Sequence, residues 1–285
     1  MNIVVGKLAG FCGGVINSVS KTDKLLEDGI KTYCLGELVH NKQVVDKLKD
    51  KGLVFIDTLE EVEDGSRVII RAHGVTKETY ELAKKKNLDI IDLTCPNVLR
   101  IHEKAIKLVE DDFFIVLIAQ KDHPEAIGTI SFCGKDSVIL EDKNGISEVV
   151  RLFKNSGKTK LAVISQTTYS MLKFDELVEE LKNQLNDYEI NIDNTICSAT
   201  ELRQKETSKL SEEVDAMIII GGKNSSNTKK LYDIASSKCK NTYIVETIDD
   251  LKEDMSVFDI VGVMAGASTP KESIDEVVDY LKSVN

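Results

Sequence analysis

The chain has 285 residues, with 37 Lys and Arg against 48 Asp and Glu and a formal net charge of −11. That acidic balance excludes a nucleic-acid face and an anionic membrane surface as partners, because both would repel it. Its apolar runs are of strand length with no visible signal peptide or spanning segment, and six cysteines in such a chain fit a reducing cytoplasm rather than a disulfide scaffold.

In chain order, MNIVVGKLAGFC (1–12) reads as a strand ending in a cysteine, and a helix is predicted over 13–28. The strand of TYCLGELVHNK (32–42) then breaks into a polar loop and a short helix. A second strand and loop follow in VIIRAHG (68–74), then the amphipathic helix KETYELAKKK and a last strand, LDIIDLTC (88–95), again ending in cysteine. The same order repeats: a helix over 98–111, FIVLIAQKDHPE (114–125), LAVISQTT (161–168), the helix KFDELVEELKNQL, and YEINIDNTIC (188–197). It repeats a third time as a helix over 198–213, AMIIIGGKNSSN (216–227), IVGVMAGAST (260–269) and the helix KESIDEVVDYLKSV.

The third pass lacks a final strand, and residues 1–12 supply one of the right kind. Thr168 lies 29 residues before Cys197, and Ser268 lies 29 from Cys12 when the count runs through the chain end and on from its start. Three α/β units are therefore predicted: 13–95, 96–197, and 198–285 completed by 1–12. Strands alternating with helices imply mostly parallel sheets, whose ligands sit at the carboxyl ends of the strands. All the loops and cysteines named occupy such ends, so they are expected to converge on one central cavity. The first unit is shorter, with 22 residues from His73 to Cys95.

Cys12, Cys95 and Cys197 each precede, by 28 residues, a polar residue closing a strand: His40, His123 and Ser225. Each of these cysteines stands at a strand-to-helix junction, where the helix N-terminus favours the thiolate. Cys34, Cys133 and Cys239 share no such phase and read as ordinary thiols. Three thiolates suit zinc with a histidine or an iron–sulfur cluster. Without a CxxC knuckle, ligands gathered from across the chain suit a larger cubane better, leaving one iron without a protein thiolate. Around it, His40, His73 and His123 are donors for an anion such as phosphate. His102 falls in a helical pattern and reads as structural. In the third unit, Gly221 and Gly222 allow close backbone approach, and Ser225, Ser226 and Asn227 offer short donors. Ser268, and Thr167 or Thr168, occupy the phase of His73. Glu125 is the one carboxylate among these loop tips; buried, it would hold a proton for a departing hydroxyl, with a Thr hydroxyl to relay it.

GFCGGV, ELVHNKQVVD, RAHGV, DLTCPNV, DHPEAIGT, SQTT, TIC, GGKNSSNTKKL and AGASTP together resemble the LytB family, the 4-hydroxy-3-methylbut-2-enyl diphosphate reductases of non-mevalonate isoprenoid synthesis, in order along the whole chain. The resemblance implies a trefoil of α/β units around one 4Fe-4S cluster per chain, held by Cys12, Cys95 and Cys197. It implies diphosphate ligands at His40, His73, Ser225, Ser226, Asn227 and Ser268, and substrate contacts at His123 and at Thr167. Glu125 matches the family's proton donor. The implied reaction removes an allylic hydroxyl with two electrons and two protons, giving isopentenyl and dimethylallyl diphosphate, with reduced ferredoxin or flavodoxin as donor. A monomeric, cytoplasmic enzyme is expected.

Departures are Gly13, often alanine in the family, and Asp122, commonly glycine; Asp122 is expected to point outward. The RNA-binding extension of some relatives is expected to be absent. A hydro-lyase with an open iron, or a non-catalytic iron–sulfur sensor, would also use three cysteines; the former would need no reductant.

Overall fold

Strand pairing is parallel throughout, as expected where strands alternate with helices. The structure is a computed structural model and describes residues 1–284. The elements are β1 (Asn2–Val5), α1 (Gly13–Leu26), β2 (Thr32–Leu35), α2 (Lys42–Asp50), β3 (Val54–Ile56), β4 (Arg67–Ile70), α3 (Lys77–Lys85), β5 (Asp89–Asp92), α4 (Pro96–Glu110), β6 (Phe114–Ile118) and α5 (Pro124–Ile130). They continue with β7 (Ser137–Leu140), α6 (Ile146–Ser156), β8 (Lys160–Ser165), α7 (Met171–Gln184), β9 (Glu189–Ile192), α8 (Ser198–Leu210), β10 (Ala216–Ile220), α9 (Ser226–Ser236), β11 (Thr242–Val245), β12 (Ile260–Ala265) and α10 (Lys271–Ser283). Among the described residues they form three four-stranded sheets in the orders β3-β2-β4-β5, β7-β6-β8-β9 and β11-β10-β12-β1. The α/β class with parallel sheets is thus the observed one.

The three sheets have one plan, and β1 pairs with β12 as β5 pairs with β4 and β9 with β8. The N-terminal strand therefore completes the third sheet. Each sheet also has an edge strand that the sequence pattern did not predict: β3, β7 or β11. These run three or four residues, too short to display a period. Helix α6 is likewise unpredicted; the other two repeats place only 3-10 turns after the edge strand, at Leu59–Glu61 in the first and at Ile248–Asp250 and Met255–Val257 in the third. Most of the shortening of the first repeat lies in α3, with 9 residues against 14 in α7.

The chain divides into two compact units. One comprises Met1–Val19, Val39–Lys51 and Ser198 onward, and holds the sheet of β10, β11, β12 and β1. There the alternation of side chains sends Ile218 and Ile220 to one face, against Ile274, Val277 and Leu281 of α10, and Met217 and Ile219 to the other, against Leu210 and Leu231. The second unit, Ser20–Leu38 and Gly52–Cys197, holds the other two sheets. In it Phe114, Val116 and Ile118 pack on Phe153, Leu177 and Leu181, while Ile115 and Leu117 meet Ile101, Ala105 and Leu108 of α4. Central strands covered on both faces explain the unbroken apolar runs FIVLI and AMIII. Among the described residues, no helix is long and apolar enough to cross a membrane.

Candidate functional site

The three phased cysteines share one local geometry. Each is followed at once by a helix: α1 begins at Gly13, α4 at Pro96 and α8 at Ser198. Each backbone N–H donates to the carbonyl two residues beyond the end of a neighbouring strand, Cys12 to Ala267 (3.1 Å), Cys95 to Ala72 (3.0 Å) and Cys197 to Thr167 (3.0 Å). The thiol of each thus stands at the N-terminal end of a helix.

Whether these residues fit a metal cluster is decided by the polarity of the sulfurs. All six cysteines are free; Cys12, Cys95 and Cys197 are partly exposed and the other three buried. The buried ones behave as thiols. Cys133 Sγ donates to Thr129 O at 3.4 Å and Cys239 Sγ faces the carbonyls of Val214, Asp215 and Asn241. Burial pushes the Cys34 and Cys133 thiols up to about 12. Cys197 Sγ does the opposite and accepts from Asn97 Nδ2 at 2.9 Å, the arrangement of a thiolate ligand. Cys197, which stands at the same kind of strand-to-helix junction as Cys12 and Cys95, thus has a sulfur suited to a soft metal ion, and the buried cysteines do not.

The loop leading to Cys12 is clamped by α8. Arg203, 3% exposed, donates from Nε to Leu8 O and from Nη2 to Gly10 O, both at 2.9 Å. Glu206 accepts from the N–H groups of Lys7 and Leu8 at 2.8 and 2.9 Å. In the same unit, His40 O accepts from Ser268 Oγ at 3.1 Å. A Cβ on Gly222 would lie 2.7 Å from that carbonyl, so glycine is what lets the two strands' loops meet. Ser225 caps α9, accepting from Thr228 N–H at 3.3 Å. Asn227 is 4% exposed, and neither amide atom finds a hydrogen-bond partner among the described residues. A buried, unsatisfied carboxamide at a helix N-terminus is chemically suited to an anionic ligand.

The second unit brings together His73, His123, Glu125 and Thr167. The two imidazoles meet edge to face with centroids 5.6 Å apart. His123 caps α5, its Nδ1 accepting from Glu125 N–H at 3.1 Å. The neutral ring then carries its proton on Nε2, a donor. Glu125 is 3% exposed, and its Oε1 and Oε2 accept from Thr167 N–H (2.6 Å) and Oγ1 (2.7 Å). Burial raises the Glu125 pKa to about 7, against the opposing pull of both Thr167 bonds. Of the two threonines left open by the sequence, Thr167 is the one on Glu125. Thr168 accepts instead from Gln166 Nε2 at 2.9 Å. Asp122 is exposed. His102 is buried on α4, stacked on Phe132 at 4.3 Å, and burial lowers its pKa to about 4. That is the signature of a packed, neutral ring.

Sequence reasoning missed Asn97, Arg203, Glu206 and Gln166. Asn97 sits inside the DLTCPNV motif, two residues past Cys95, but nothing in the motif says which sulfur it meets.

The family model for "LytB protein" matches residues 3–282. A 4-hydroxy-3-methylbut-2-enyl diphosphate reductase from Aquifex aeolicus (strain VF5) is 38% identical over 289 residues, covering 100% of this chain and 97% of the relative. The solved structure of E-1-hydroxy-2-methyl-but-2-enyl-4-diphosphate reductase from Plasmodium falciparum matches with a TM-score of 0.91 at 30% identity, covering 98% of this chain and 87% of that one. A second solved structure, of (E)-4-hydroxy-3-methyl-but-2-enyl diphosphate reductase, the terminal enzyme of the non-mevalonate pathway, matches at 38% identity with a TM-score of 0.70, covering 99% of this chain and 100% of that one. With the family model and full-length relatives in agreement, the chain belongs to the LytB family.

Proposed function

We propose that the protein is a 4-hydroxy-3-methylbut-2-enyl diphosphate reductase, which replaces the allylic C–OH of its substrate by C–H at the expense of two electrons and two protons and releases water. The observation that carries this reading is Glu125: a buried carboxyl with a pKa of about 7, bonded through both oxygens to Thr167. At neutral pH a large share of it holds a proton, and burial keeps water from taking that proton.

In this reading Cys12, Cys95 and Cys197 hold a 4Fe-4S cluster. When bound, the cluster would supply the electrons, one at a time, and a Lewis-acid iron. The remaining work belongs to the chain. His40, His73, Ser225, Ser226, Asn227 and Ser268 bind and orient the diphosphate; Asn227 supports this through a carboxamide that the protein leaves unsatisfied. His123 presents Nε2–H to the substrate. Glu125 delivers a proton to the departing hydroxyl, directly or across its 2.7 Å bond to the Thr167 hydroxyl. Electrons would come from reduced ferredoxin or flavodoxin, to a monomeric enzyme of the cytoplasm.

The test is anaerobic purification, iron and sulfide analysis, and an assay on the hydroxylated diphosphate with a chemical reductant. Iron and sulfide near four each per chain, with reductant-dependent loss of the hydroxyl, is the expected result. Product formed without reductant would replace this reading by a hydro-lyase, and a loaded protein without turnover by a sensor. Cys95→Ser should lose most of its iron, and unchanged iron and sulfide in that variant would remove Cys95 from the ligand set.

A further inference from the structure

Asn97 has no part in the reaction given above, yet it touches a proposed metal ligand directly. Asn97 lies in the first turn of α4, two residues beyond the N-cap Cys95, and its Nδ2 donates to Cys197 Sγ at 2.9 Å. Its Oδ1 accepts from Arg100 Nη1 at 3.3 Å. Arg100 settles which way the amide faces. A guanidinium only donates, so the amide oxygen must turn to it and the NH2 must face the sulfur. One helix N-terminus thus carries a thiol at its cap and, two residues later, a donor aimed at a second thiol 100 residues away in sequence.

We propose that Asn97 is a positioning residue that orients the Cys197 thiolate and raises the reduction potential of the metal centre through its N–H···S hydrogen bond. The proposal rests on the cluster reading given above. Reduction adds negative charge to the centre, and part of that charge resides on the thiolate sulfurs. A hydrogen-bond donor on sulfur is attracted more strongly to the reduced state than to the oxidised one, so it favours reduction. Arg100 holds that donor in place, and its own positive charge acts in the same direction. Among the described residues, Cys34, Cys133 and Cys239 carry no donor of this kind; the bonds at Cys133 and Cys239 have the sulfur as donor.

The experiment compares anaerobically loaded wild type, Asn97→Leu and Arg100→Leu by iron and sulfide content and by redox titration of the cluster's electronic spectrum. Asn97→Leu keeps the branching of the side chain and removes the donor. Its reduction equilibrium should fall about tenfold, which is ~59 mV for a one-electron couple. Arg100→Leu leaves the amide free to turn its oxygen to the sulfur and should give a fall of the same sign. A loaded Asn97→Leu protein with the wild-type potential overturns the role of Asn97 and leaves the cluster reading intact. Should Asn97→Leu shed its iron, the Arg100→Leu potential decides, and an unchanged value overturns the proposal. A wild type free of iron and sulfide overturns the cluster reading and this proposal with it.

Discussion

Glu125 and Asn227 occupy equivalent positions. Each lies 30 residues after its cysteine and is the second residue of a helix that follows a central strand. They are buried almost equally, at 3% and 4% exposure. Their surroundings differ. Both oxygens of Glu125 are held by Thr167, while both amide atoms of Asn227 lack a partner among the described residues. A proton donor has to be set at its working geometry and pKa before substrate arrives, so internal hydrogen bonds suit the role proposed for Glu125. A binding group contributes most when its hydrogen bonds are formed with the ligand alone. One backbone position, repeated, carries a carboxyl bonded through both oxygens in one copy and a carboxamide without a partner among the described residues in the other.

The most severe break of that comparison is Glu125→Gln. The amide keeps the shape and can still accept from Thr167, but it has no proton to give. Turnover should fall by about 10²–10⁴, the usual worth of a general acid, with iron and sulfide content unchanged. Near-normal kcat would remove Glu125 from the proton path.

Asn227→Leu gives a smaller effect with a mixed sign. Losing a donor to the diphosphate should raise KM about 10-fold to 100-fold, with kcat changed less. The unliganded protein should become more stable by about 1 kcal/mol or more, because two unsatisfied polar atoms leave the interior. The same change at a satisfied position would destabilise. A loss of stability in Asn227→Leu would show that its amide is bonded in solution and that the contrast with Glu125 is not real.

The equivalence itself was legible in the sequence, because β2, β6 and β10 and the loops after them keep one spacing from their cysteines. So was the role of residues 1–12, since an orphan strand at one end matches a missing one at the other. Legibility stopped where partners are distant and lack a period. Arg203 and Glu206 hold the loop before Cys12 across some 195 residues, and Asn97 reaches Cys197 across 100. The edge strands β3, β7 and β11 are fixed by pairing with a central strand rather than by their own few residues. Residues 39–51 join the compact unit of the third sheet, although their neighbours in sequence belong to the first. Contacts such as Ser273 to Gln43 and Ser268 to His40 draw them there, and no local pattern encodes either.

The subtlest test separates the two bonds that Thr167 makes. Thr167→Val keeps the backbone N–H to Oε1 and deletes only the hydroxyl on Oε2. A hydroxyl that donates to the carboxylate stabilises its charged form, so deleting it should raise the Glu125 pKa further, by about half to one pH unit for a bond worth ~1 kcal/mol. Activity needs the acid form, so the alkaline limb of kcat, which should lie near Glu125's pKa of about 7, would move up. Stability follows the same group. The folded state keeps a proton that the unfolded chain releases near 4.5, so the contribution of Glu125 to stability is fully present below about 4.5 and declines as pH rises to about 7, at most ~1.4 kcal/mol per unit. Thr167→Val should extend that decline upward, and Glu125→Gln should abolish it. A limb that moves down instead would mean that the hydroxyl accepts from the protonated acid, which makes Thr167 the first station of the proton's path rather than a brake on its release.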